Sequence, residues 1–196
     1  TLNYQYSNEP EDHLKQLSTN LSNINGQNFV LGRRVHHTDM GNGSHNENVS
    51  ENPNFSALSN TLGPRYTNRS CVSCHQKNGR ALAGTAGTPL DKYSVFVGDS
   101  NGNPHPQLGR VFQAHSLSGN GEGTATLSSW TEANGLRTPN YAFSGVTPSN
   151  FSARIAPQLV GMGLLEAIDE LTLENLADPD DSDSDGISGK LRILTD

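Results

Sequence analysis

The sequence predicts a mainly α domain with long loops and a small β-hairpin. Three observations carry that expectation. Apolar residues recur at three- to four-residue spacing near both ends of the chain, the period of one helix face. A Cys-x-x-Cys-His run puts residues i and i+3 on one side of a helical turn. Asn134-Gly135 sits between two strand-forming runs, a strong short-range hairpin signal.

The 196 residues suit a single domain, residues 1–196. Apolar residues make up 32% of the chain; with the 20 Gly the share reaches about 42%, below the usual 45–50% or so. A modest core and long loops rich in Asn, Ser and Gly follow. Leu14, Leu17 and Leu21 mark a helix within residues 9–31. Residues 32–60, dense in Gly, Asn, Ser and His, read as an irregular loop. Residues 68–77 read as a short helix. Residues 93–97 form a strand, and Val111-Phe112-Gln113 a second short one. Residues 122–143 make the hairpin. Residues 151–168, carrying Ile155, Leu159, Met162, Leu164, Leu165 and Ile168, are the most apolar segment and the expected core lining. Residues 169–177 close as a last short helix.

Charge and hydropathy exclude several classes. A formal net charge of −7 lacks the basic footprint that nucleic acid requires. No apolar run approaches the length of a membrane span. Thr1-Leu2-Asn3-Tyr4 is polar, and reads as a mature or trimmed N-terminus rather than a signal peptide.

Cys71-Val72-Ser73-Cys74-His75 contains both cysteines of the chain. The spacing lets two sulfurs bond one macrocycle while the imidazole takes its metal, the attachment pattern of haem c. The competing readings are a redox dithiol, which usually lies beside a βαβ pattern, and a zinc site, which wants a fourth ligand at recognisable spacing. Neither context is present in the sequence. Haem c is attached outside the cytoplasm in bacteria, so a periplasmic or extracellular location is expected, with an electron donor or acceptor protein as partner.

A second signal lies near the C-terminus. Asp181, Asp183 and Asp185 occupy positions 1, 3 and 5 of a D-x-D-x-D-G run, Gly186 supplies the turn, and Ile187 offers its carbonyl. Hard oxygen ligands at this spacing suit Ca²⁺. Position 12 is Arg192, which cannot be the bidentate acid, so Asp178 or Asp180 is left to complete the shell. The competing reading is a solvated acidic loop.

The iron ligand opposite His75 is open among several residues. Met162, between Gly161 and Gly163, offers a thioether; ordinary packing is its alternative. His37 and His45 rank first among the imidazoles, ahead of His36, His13, His105 and His115, because their irregular segment can fold over a haem. An open position would favour peroxide chemistry.

The stretch from Leu62-Gly63-Pro64 through Cys71–His75 to Asn78-Gly79-Arg80-Ala81 resembles the first haem segment of the bacterial di-haem oxidoreductases, or di-haem peroxidase-like proteins. Residues 32–39, 106–113, 137–141, 156–168 and 178–189 resemble further motifs of that family, so the similarity runs from about Phe29 onward. The resemblance implies a cytochrome c-like haem domain, the N-terminal part of a longer di-haem protein whose second haem lies on another domain or chain. By their chemistry, Glu122 is a candidate distal acid–base residue, and Arg80 or Arg137 a candidate propionate partner. Trp130 is a candidate electron relay, with packing as the alternative.

Overall fold

The computed structural model describes Leu17, Ser18 and residues 21–193. Leu14 and His13 lie outside these residues. The chain divides into two compact units at Gln158/Leu159.

In the first unit, helix α1 spans Asn23–His37. Ser22 caps it, its Oγ accepting the Asn25 N–H at 3.4 Å. Arg34, His36 and His37 fill the last turn, at the negative end of the helix dipole. The helix stops at Thr38, which turns extended (ψ 130°) while its Oγ1 donates to the Arg34 carbonyl at 2.7 Å. The helix thus runs six residues into the segment expected to be irregular.

Strands follow. β1 (Arg65–Tyr66), β2 (Thr88–Pro89), β3 (Tyr93–Gly98), β4 (His115–Ser116), β5 (Gly123–Ala133), β6 (Leu136–Gly145) and β7 (Asn150–Ile155) pair antiparallel as β1–β4, β2–β5–β6 and β3–β7. The β5–β6 turn is Asn134-Gly135, with φ of 51° and 75°, the left-handed pair that a two-residue hairpin turn requires. Register runs from Ala133↔Leu136 back to Gly123↔Gly145, with a bulge between Leu127 and Ser129. At the open end, a Cβ on Gly123 would meet the Ser144 carbonyl, so glycine is needed there.

Alternation along β3 turns Tyr93, Val95 and Val97 inward. They join Leu90, Leu108, Phe112, Ala125 and Leu127 as the core, flanked by Trp130, Tyr141, Phe143 and Ile155. Phe143 packs edge-on against Phe112 and Phe151.

The expectation of a mainly α domain is overturned. Of the described residues 20% are helical and 27% lie in strands or bridges, the strands pairing in antiparallel sheets. The hairpin itself falls where expected, at residues 123–145. Two physical causes account for the difference. Residues 151–155, counted with the apolar core segment, join Asn150 in a strand that pairs with β3 over six residues. The 68–77 region is two 3₁₀ turns, Cys71–Ser73 and Gln76–Asn78, because Lys77 and Asn78 adopt positive φ (55° and 59°), which no α-helix continues. Val111 makes only an isolated bridge to Phe96.

The second unit holds two short helices, α2 (Met162–Glu166) and α3 (Glu170–Asn175), the latter capped by Asp169. Leu164 and Leu165 are 78% and 60% exposed, so the expected core lining is not where the core sits. Helices this short cannot form a buried face unaided. No helix among the described residues is long and apolar enough to cross a membrane.

Candidate metal centre

Cys71 and Cys74 are free thiols, the first exposed and the second half-buried. The N–H groups of Cys74 and His75 both donate to the Cys71 carbonyl, at 3.2 and 2.9 Å, which winds the pentapeptide into one tight turn. Burial pushes the Cys74 thiol up from its ordinary value, against the opposing pull of the Asn68 amide that donates to its sulfur at 3.5 Å.

His75 Nδ1 lies 2.7 Å from the Pro157 carbonyl oxygen. A carbonyl only accepts, so Nδ1 carries the proton and Nε2 keeps its lone pair. An imidazole anchored through one nitrogen is oriented to ligate a metal through the other.

The end of α1 is fastened beside this turn by side-chain and backbone ties. Arg69 Nε donates to the Asp39 carboxylate at 2.9 Å, and the Met40 N–H donates to the Arg69 carbonyl at 2.9 Å. Asn46 Nδ2 donates to Ser70 Oγ at 2.7 Å, and that hydroxyl lies 2.8 Å from Ser73 Oγ. The result is a row of imidazoles. Ring centres are 6.4 Å apart between His75 and His36, 5.1 Å between His36 and His37, and 5.1 Å between His37 and the stacked His45.

His37 is fully buried and His45 nearly so. His45 Nδ1 lies 2.6 Å from the Glu47 carbonyl, and Arg33 donates to the Glu47 carboxylate at 2.7 Å. Both ring nitrogens of His36 and both of His37 are shielded from solvent without a hydrogen bond. Burial pushes His37 down to about 4, although Glu47 pulls the other way from 3.8 Å. Burial, then the neighbouring His75, also lowers His36. Both rings are neutral at pH 7, the form in which imidazole binds metal. An unpaired buried polar group costs on the order of 1–3 kcal/mol, and this cluster holds four such nitrogens. The residues therefore fit a metal-bearing group seated here.

The other candidates have their own surroundings. The Glu122 side chain is 6% exposed and already spent on structure: it accepts from Arg65 at 3.2 Å and from the Gln113 N–H at 2.7 Å. Arg137 pairs with Glu132 at 3.1 Å and lies over the Trp130 ring, 4.8 Å from its centre, near the hairpin tip. Arg80 is exposed beyond the second 3₁₀ turn. Met162 opens α2 of the second unit and is 51% exposed. In that unit the carboxylates of Asp178, Asp181 and Asp183 bring one oxygen each within 4.8 Å of one another. Asp185 instead accepts the Ile187 N–H at 2.7 Å, and Asp181 accepts the Gly186 N–H at 3.1 Å. A bridge between Asp178 and Gly189 closes this loop. Among the described residues no other group of three His, Cys, Asp or Glu ligand atoms converges so closely. That leaves the Cys-x-x-Cys-His turn short of a tetrahedral zinc site. A cleft of about 310 Å³ borders Thr67, Leu90, Asp91, Tyr93, Phe112 and His115, and includes none of the four clustered histidines.

Two members of the centre were not singled out from sequence. Pro157 enters there only within residues 156–168 of the family resemblance, and His36 ranks behind His37 and His45. The available signal was the helix phase of residues 33–37, which becomes readable only once α1 is known to reach His37. No protein-family model, curated protein or solved structure matches the chain.

Proposed function

We propose that the chain carries a covalent haem c on Cys71, Cys74 and His75 and transfers electrons, as part of a di-haem oxidoreductase or peroxidase-like enzyme. The observation that supports this best is His75 Nδ1 held 2.7 Å from the Pro157 carbonyl, beside two thiols and a cluster of unpaired imidazoles. Each thiol adds its sulfur and its hydrogen across one vinyl double bond, so attachment needs no oxidant and releases nothing. His75 Nε2 holds the iron. When bound, the group supplies a one-electron couple. The neutral imidazoles of buried His37 and half-buried His36 exclude water from one side of it, and low dielectric tunes such a couple. In this reading Ca²⁺ occupies the acidic loop of the second unit, where three carboxylate oxygens converge. The protein works in the periplasm or outside a bacterial cell, with a protein electron donor or acceptor and a second haem domain or chain.

The test is intact mass and a pyridine haemochrome assay on chain produced with haem c maturation machinery, with metal analysis of the same sample. The expected result is one covalent haem, lost in the Cys71→Ser/Cys74→Ser double variant, and one calcium. Absence of haem from the wild-type chain overturns the proposal. Calcium without iron would favour a calcium-stabilised extracellular interaction protein.

A further inference from the structure

Resting on the haem reading above, we propose that His36 is the second axial ligand, so that iron held by His75 is closed on both faces by imidazoles. Two imidazoles on opposite sides of one metal, with metal–nitrogen bonds of about 2.0–2.1 Å and ring nitrogens about 1.1 Å from the ring centre, have centres about 6.3 Å apart. The His36 and His75 centres are 6.4 Å apart. Trans imidazoles turn freely about the bond axis, so the 55° between the two ring planes is compatible with shared ligation.

The chemistry of His36 points the same way. Both of its ring nitrogens are shielded and unpaired, beside a His75 whose Nδ1 is already committed to the Pro157 carbonyl. Buried polar atoms nearly always find a partner, and a metal is the partner an imidazole lone pair takes here. The placement is built rather than incidental. Ties between Asp39 and Arg69, Met40 and Arg69, and Asn46 and Ser70 hold the end of α1 against the cysteine turn. The neighbouring imidazole is less well placed. His37 has its ring contacts with His36 and His45, one layer further from His75.

The functional consequence is specific. While both axial positions are filled the iron has no site for peroxide, so in this state the haem relays electrons, and peroxide chemistry requires the His36 bond to open or another centre.

The test is electron paramagnetic resonance and optical spectroscopy of the oxidised, haem-loaded full chain and its His36 variants. The wild type is expected to be low-spin with nitrogen ligation on both sides. His36→Gly should lose the low-spin signal, keep its covalent haem, and recover the signal with added imidazole. His36→Met should gain the methionine-to-iron charge-transfer band, which keeps the test open if the glycine variant folds poorly. His37→Leu and Met162→Leu should leave the spectrum unchanged. A high-spin wild type, a methionine band in the wild type, or a His36→Gly spectrum still low-spin without imidazole overturns the assignment while leaving haem attachment intact. A chain without haem overturns the proposed function itself.

Discussion

The β core and the histidine row are both buried, yet they are held in opposite ways. Leu127, Val95 and Phe112 are 1–3% exposed and meet apolar neighbours on every side. The strands that carry them satisfy one another's backbone groups in long antiparallel ladders. His37 is equally inaccessible, but neither its nitrogens nor those of His36 have a hydrogen bond. The first region is complete as folded. The second shoulders an unmet polar cost that packing alone does not explain, and a metal bound by one of these rings would lower it. Buried atoms left wanting a partner are thus more informative about function here than the core, whose every group is accounted for.

Substitutions sharpen this contrast. Leu127→Ala should have the largest effect, a loss of about 2–5 kcal/mol from lost burial and the cavity left behind. Its haem spectrum should not change; urea denaturation and an absorption spectrum read the two outcomes. His37→Leu should behave otherwise. It replaces an unpaired buried imidazole with an apolar side chain of similar size, so stability should shift by no more than about 1 kcal/mol, in either direction. A loss as large as that of Leu127→Ala would erase the distinction between the two regions. The smallest effect is at the surface. The Asp99 carboxylate accepts from the Asn103 side chain at 3.1 Å and from the N–H groups of Asn101 and Asn103, each at 2.8 Å. The Asn103 side-chain bond, first among these, holds its pKa below the usual value of 3.8. A carboxylate with a depressed folded pKa contributes stability above its unfolded pKa and loses it as pH falls through the folded value. Asp99→Asn should therefore lower the thermal midpoint slightly at neutral pH, and the gap should close below about pH 3.8. A gap that widens in acid would reverse the sign.

Local chemistry was legible wherever a few adjacent residues decide the outcome. Asn134-Gly135 announces its hairpin because few other pairs adopt two positive φ angles in succession. The strand at residues 93–97 shows in its alternation, and Asp169 marks the start of the last helix. Fold class was misjudged because the balance of helix and strand depends on long-range pairing. Phe151 to Ile155 carry no strong strand signal until β3 lies alongside them. Lys77 and Asn78 do not advertise the positive φ that breaks the expected helix.

The sequence by itself determined the grouping of Cys71, Cys74 and His75: two thiols and an imidazole within five residues cannot lie far apart in any fold. It also determined the acidic spacing of the second unit, for the same reason of short chain distance. Tertiary structure alone decided that a proline carbonyl 82 residues away anchors His75, and that His36 rather than His37 or His45 faces it. Those choices depend on where α1 ends and on how Asp39, Arg69 and Asn46 fasten that end to the cysteine turn. A difference of one residue rotates a helical side chain by about 100°, so only the packed helix distinguishes two adjacent histidines.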